Sequence, residues 1–176
     1  KRAAERMGYP VALKLVAEGV THKSDGGGVL LDIRNAQELA AAVVAMEQKF
    51  PAAAGTRVLV QRMVRGGIET LVGIAQDPSF GPLIAFGLGG VQVELLRDVT
   101  FRIVPLTDAD ARHMVRAIRG FRLLEGYRGQ PPGDVAALES LLLRVSQMVS
   151  DCPEIVEMDL NPVRVMAPGH GCIAVD

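Results

Sequence analysis

The stretch Thr21-His22-Lys23-Ser24-Asp25-Gly26-Gly27-Gly28 constrains this chain more than any other. It separates two strand-like runs, residues 10–16 and 29–33. Consecutive glycines let successive N–H groups turn toward one point, because no Cβ blocks the unusual φ/ψ values. A concave row of N–H dipoles binds phosphate oxygens. Thr21, His22, Lys23 and Ser24 add side-chain donors beside it. The loop is longer than a hairpin needs, and long loops in compact domains tend to carry function. A phosphorylated ligand is the expectation.

The remaining composition narrows the setting. A length of 176 residues suits one domain with a real core, or two small lobes. With 49% hydrophobic and 22% charged residues, the chain is globular. Its net charge of −1 argues against nucleic acid or an anionic membrane as main partner, since either favours a basic face. No signal peptide, transmembrane run or lipidation motif is visible. The two cysteines, Cys152 and Cys172, lack metal-site spacing and read as inert thiols in a cytoplasmic protein. Residues 1–7 read as the tail of a helix, and Asp176 ends inside a strand-like run, so a segment of a longer polypeptide is expected. The lysines are Lys1, Lys14, Lys23 and Lys49; two of these four lie in or next to the glycine loop.

The pattern along the chain predicts strands at 10–16, 29–33, 57–64, 68–76, 82–87, 101–104, 155–166 and 172–176. Helices are expected at 1–8, at 36–49 behind an Asn35 cap, at 108–119 and at 135–150. Runs of strands with helices inserted and hairpin-length turns predict an α+β fold with largely antiparallel sheets. The turn at Gly66-Gly67 is a candidate boundary between two lobes, 1–66 and 67–176.

Two further positions carry chemistry. Lys14 alternates with Leu13 and Leu15, so it leaves the opposite strand face. An ammonium in so apolar a run points into a cleft or snorkels to the surface. In Glu157-Met158-Asp159-Leu160-Asn161-Pro162, the acidic and amide side chains share one strand face. Such a row is either a solvated polar face or a set of hard oxygen ligands, and the latter suits Mg²⁺ bridged to phosphates. Asp176, ending a neighbouring strand, could reach the same point. His22 is either a solvated loop side chain or, beside a phosphate nest, a phosphate ligand or phosphoryl acceptor. Glu69 is either a site residue or the polar face of an amphipathic strand. His113 and His170 show no partner spacing and read as surface residues.

These motifs resemble the ATP-grasp domain of nucleoside-diphosphate-forming (ADP-forming) acyl-CoA synthetases, in the manner of the acetyl-CoA synthetase β subunit. The resemblance rests on residues 11–16, on His22-Lys23-Ser24-Asp25 with Gly27-Gly28-Val29, and on Asp77-Pro78-Ser79-Phe80-Gly81-Pro82. It continues through Phe86-Gly87-Leu88-Gly89-Gly90, Glu94, Asp98 and Phe101-Arg102 to the ending from Glu157 to Asp176. The β subunit of succinyl-CoA synthetase is a more distant relative of this kind. The resemblance implies an ATP-grasp fold whose first lobe is truncated at its N-terminal side. It implies ATP/ADP and Mg²⁺ as cofactors, with CoA-binding and ligase domains in the same or a partner chain. By the same resemblance Lys14, Lys23 and Gly26, Gly27 and Gly28 hold the nucleotide phosphates. Gln61, Met63 and Val64 belong to the hinge that holds the adenine. Glu69 orients the nucleotide side, and Asp159, Asn161 and Asp176 hold Mg²⁺. His22 stands at the position of a second phosphohistidine, passing phosphate between ADP and a mobile histidine of the CoA-binding part. A related group fuses this architecture to a protein acetyltransferase module, so a non-catalytic regulatory nucleotide-binding module is the alternative. Retention of His22, Lys23 and Asn161 favours a competent site.

Overall fold

The computed structural model describes residues 1–16, 27–50, 57–90 and 98–176. The chain divides into two compact units, Lys1–Arg65 and Gly66–Asp176.

The first unit contains α1 (Arg2–Met7), β1 (Val11–Val16), β2 (Val29–Ile33), α2 (Ala36–Lys49) and β3 (Arg57–Arg62). Its antiparallel sheet has the order β2-β1-β3. Asn35 caps α2 as expected, its side chain accepting from the N–H groups of Gln37 and Glu38. Glu38 returns a carboxylate to the Arg34 N–H at 2.7 Å. Alternation along β1 sends Val11, Leu13 and Leu15 into a core with Ile33, Leu39, Met46 and Ala4. Ala12 and Lys14 therefore lie on the other face. Between Val11 and Leu13 the register slips by one residue, so β2 carries a bulge there. Asp32, at φ 61°, is the residue that absorbs it.

The second unit contains β4 (Ile68–Asp77), β5 (Gly81–Leu88), β6 (Val99–Ile103), α3 (Asp108–Ala117), α4 (Phe121–Leu124), α5 (Val135–Asp151), β7 (Met158–Val165) and β8 (Cys172–Ala174). The antiparallel sheet runs β6-β5-β4-β7-β8. Asp77 closes the β4–β5 hairpin by accepting from the N–H groups of Ser79 and Phe80 at 2.8 and 3.0 Å. A reciprocal Thr107–Asp110 capping box starts α3. Asp134 caps α5 with one oxygen, and its other oxygen accepts from Gly169 and Gly171, both at 2.9 Å. That single carboxylate ties the β7–β8 turn to the helix. The core joins Val72 and Ile74 of β4, Ile84, Phe86 and Leu88 of β5, and Val163 and Val165 of β7 to α3 and α5.

The expected α+β class with antiparallel sheets is what the structure shows. Three local differences stand out. A short helix, α4, occupies part of the segment between the two long helices. Its turn is held by Asp98, whose two oxygens accept from the Arg119 and Gly120 N–H groups at 2.8 Å each. β7 begins three residues later than position 155, because the chain turns there with the Ile155 N–H bonded to the Cys152 carbonyl. β6 runs Val99–Ile103, two residues earlier at its start than the pattern of apolar residues suggested. Among the described residues no helix is long and apolar enough to cross a membrane.

Phe86 is fully buried at the centre of the second core, whereas Phe80 is 63% exposed at the hairpin tip. Phe86→Ala should cost about 3–5 kcal/mol through lost burial and a residual cavity. Phe80→Ala should stay within about 0.5 kcal/mol. Urea unfolding followed by circular dichroism reads both; equal costs would place the core elsewhere.

Candidate functional site

Strand β7 sets the geometry of the second unit's site. It lies between β4 and β8, so it is a central strand, yet it contains Pro162. Proline cannot donate to a ladder and is tolerated inside a sheet only at an edge or a bulge. The register confirms a bulge: Leu160 faces Val72 and Val163 faces Thr70, leaving Asn161 and Pro162 together opposite Leu71. The extra residue shifts the alternation. Met158 and Leu160 turn toward the core before it, Val163 and Val165 after it. Asp159, Asn161 and Arg164 are thereby all delivered to the opposite face.

Asp176 joins this group through the backbone. The Asn161 N–H donates to the Asp176 carbonyl at 3.1 Å, and the Val175 N–H donates to the Pro162 carbonyl at 3.0 Å. Partial desolvation, then the negative charges of Asp176 and Glu157, hold the Asp159 carboxyl above the usual carboxylate range. Glu157, expected on the strand face, sits just before the strand and still contributes its charge. Crowded carboxylates of this kind attract a cation. Among the described residues no three His, Cys, Asp or Glu side chains form a metal cage by themselves. The donor set is two carboxylates and the Asn161 amide oxygen. It fits a hard cation such as Mg²⁺, which takes a few protein oxygens and completes its shell with water or phosphate.

Glu69 opens β4 and faces Arg164 across the sheet. Arg164 Nη2 donates to Glu69 Oε1 at 2.6 Å, and Arg164 Nη1 donates to the Gly66 carbonyl at 2.9 Å. The turn after β5 presses against the same glutamate. The Gly89 N–H donates to the Glu69 carbonyl at 2.7 Å. A Cβ on Gly89 would meet Glu69 backbone at 3.0 Å, so glycine is required there by contact. Sequence reading missed Arg164. Its signal was present: a proline within a strand implies a bulge, and a bulge changes which residues face outward.

In the first unit Lys14 is buried, with 6% of its surface exposed. It pairs with Val29 on one side and Leu59 on the other. The Leu15 N–H donates to the Gly28 carbonyl at 2.7 Å, so the glycine loop rejoins the sheet beside Lys14. Gly27 adopts φ 70°, and the Lys49 ammonium lies so close that a Cβ there would come within 2.5 Å of it. Gln61 is paired with Ala12 and shares the Lys14 face. The Met63 N–H is engaged by the Pro10 carbonyl at 3.2 Å, and Val64 follows it, partly buried. His22, Lys23 and Gly26 lie outside the described residues.

Comparison with known proteins places this geometry in a family. The family model described as "ATP-grasp domain" matches residues 1–176. The chain is 50% identical over 97% of its length to "Acetate--CoA ligase [ADP-forming] I" of Archaeoglobus fulgidus, of which it covers 25%. It is 43% identical over 98% of its length to "Acetate--CoA ligase [ADP-forming] II subunit beta" of Pyrococcus furiosus, of which it covers 75%. The chain thus spans about a quarter of the first of these relatives and most of the second. Among solved structures, the dinucleotide forming acetyl-coenzyme A synthetase 1 of Ca. Korarchaeum cryptofilum matches with a TM-score of 0.86 and 39% identity, covering 99% of this chain and 78% of that one. That structure is a complex with coenzyme A and Mg-AMPPCP, its phosphohistidine segment pointing towards the nucleotide binding site. From the first residue to the last, this chain belongs to the ATP-grasp domain family, in the form found in ADP-forming acyl-CoA ligases.

Proposed function

We propose that this chain is the nucleotide-binding, phosphoryl-transferring portion of an ADP-forming acyl-CoA synthetase that couples acyl-CoA thioester chemistry to ATP and ADP. The observation that carries the reading is the gathering of Asp159, Asn161 and Asp176 on the bulged strand, with the Asp159 carboxyl pushed up by partial desolvation and its acidic neighbours. These three residues hold Mg²⁺, which neutralises charge on the nucleotide's terminal phosphates. Lys14 adds a fixed positive charge, and Lys23 with Gly26, Gly27 and Gly28 cradles phosphate oxygens. Gln61, Met63 and Val64 hold the adenine. Glu69 orients the nucleotide.

His22 acts as nucleophile through a neutral ring nitrogen. An N–P bond forms as the bond between the γ-phosphorus and the bridging oxygen to the β-phosphate breaks, and ADP departs. The reverse step returns the phosphoryl group to ADP. The relatives named as β subunits, and the bound coenzyme A in the Korarchaeum complex, support CoA-binding and ligase domains in the same or a partner chain. Two free cysteines suit a cytoplasmic setting.

Three outcomes test the reading. Asp159 has a raised folded-state pKa, so its contribution to stability is greatest below about 3.8 and is lost as pH rises through the folded value. Asp159→Asn should therefore raise the urea midpoint at pH 7 without Mg²⁺, and the gain should vanish at pH 3. Millimolar Mg²⁺ should stabilise the parent protein and leave the variant unmoved.

Lys14→Ala should cost about 1–3 kcal/mol of Mg-ADP affinity, the range of a charge-assisted bond. Calorimetry showing equal affinity would remove Lys14 from the phosphate site.

His22→Ala should abolish or sharply reduce an acid-labile ³²P label acquired from γ-labelled ATP. Normal labelling and turnover in this variant would leave the glycine loop as a clamp only.

A further inference from the structure

We infer that Arg164 is the positioning residue that fixes the rotamer of Glu69, and through it the nucleotide, and that the β7 bulge exists in this chain partly to deliver it. The inference rests on the nucleotide reading above.

The bulge leaves a strand residue without its ladder partner; without it, a strand that turns Met158 and Leu160 to the core would turn Val163 and Val165 outward and Arg164 inward. What the bulge does is put Arg164 on the face that carries Asp159 and Asn161. There the guanidinium makes two different bonds, to Glu69 Oε1 at 2.6 Å and to the Gly66 carbonyl at 2.9 Å. The two bonds leave from separate nitrogens of one rigid fork, so the position of Arg164 is set by backbone on one side and transmitted to the carboxylate on the other. The pair is partly shielded, with 22% and 35% of the two side chains exposed, so it is not an ordinary solvated ion pair.

Glu69 is confined from the other side as well. Gly89 and Gly90 pack on it, and a Cβ on Gly90 would stand 3.2 Å from Oε2. One carboxylate oxygen is thus consumed by Arg164, and the other sits at the glycine turn. Glu69 can then offer a single, oriented acceptor to a donor group of the nucleotide. Lysine could not reproduce this, because one ammonium on a flexible stem does not fix both bonds.

The test is a double-mutant cycle in the full-length protein, with Mg-ADP as probe and calorimetry as readout. Arg164→Ala and Glu69→Ala should each weaken binding by about tenfold, the loss of one charge-assisted bond. The double variant should bind no more weakly than the worse single variant. Arg164→Lys should keep the fold, judged by its urea midpoint, and still bind about as weakly as Arg164→Ala. Additive losses would overturn the inference, because Arg164 would then act independently of Glu69. So would an Arg164→Ala variant that unfolds earlier but binds with unchanged affinity. Absence of Mg-ADP binding in the parent protein would instead overturn the nucleotide reading and the inference with it.

Discussion

The second unit depends on one backbone irregularity, the two residues Asn161 and Pro162 set against the single residue Leu71. Antiparallel sheets alternate strictly, so a strand that both closes a core and carries a polar site must choose a phase. The bulge allows β7 two phases. Before it, Met158 and Leu160 face the core and Asp159 faces out; after it, Val163 and Val165 take over the core and Arg164 faces out. Asn161 sits at the change of phase, where its amide is bonded through the backbone to Asp176. The outward face shared by Asp159 and Asn161 and the Glu69–Arg164 pair are consequences of one inserted residue.

The electrostatics follow from that placement. The Asp159 pKa is raised first by partial desolvation and then by the negative charges of Asp176 and Glu157. By contrast, Asp134 is held below the usual carboxylate range, chiefly by the Gly171 and Ala137 N–H groups. The two aspartates illustrate different uses. Asp134 is satisfied within the chain and holds a helix to a hairpin. Asp159 instead sits partly desolvated beside the negative charges of Asp176 and Glu157.

Much of this was legible in the sequence, and the reasons differ by element. The Asn35 cap, the alternation of Val11, Leu13 and Leu15, and the Asp77 turn are local signals, so the elements they mark fall where expected. The nearness of Asp159, Asn161 and Asp176 was legible because the first two are two apart on one strand; Asp176, expected to end the next strand, instead follows β8 by two residues and reaches Asn161 through its carbonyl. The short helix α4 was not, because its turn is held by Asp98, some twenty residues away in sequence. Arg164 was missed for a related reason. Its partner Glu69 is 95 residues away, and its face depends on a bulge signalled only by Pro162. His22, Lys23 and Gly26 remain expectations drawn from the donor-rich glycine motif and the family resemblance.

The most direct measurement of the central claim replaces Mg²⁺ with paramagnetic Mn²⁺ in the presence of ADP and records amide spectra of the isotopically labelled protein. Signals from Asp159, Asn161 and Asp176 should broaden at substoichiometric metal, with those of Lys14 and Gly28 affected in the ADP complex. Signals from Phe80 and the α5 cap at Asp134 should stay sharp. Broadening centred on another carboxylate group, or none at these three residues when ADP is bound, would contradict the account.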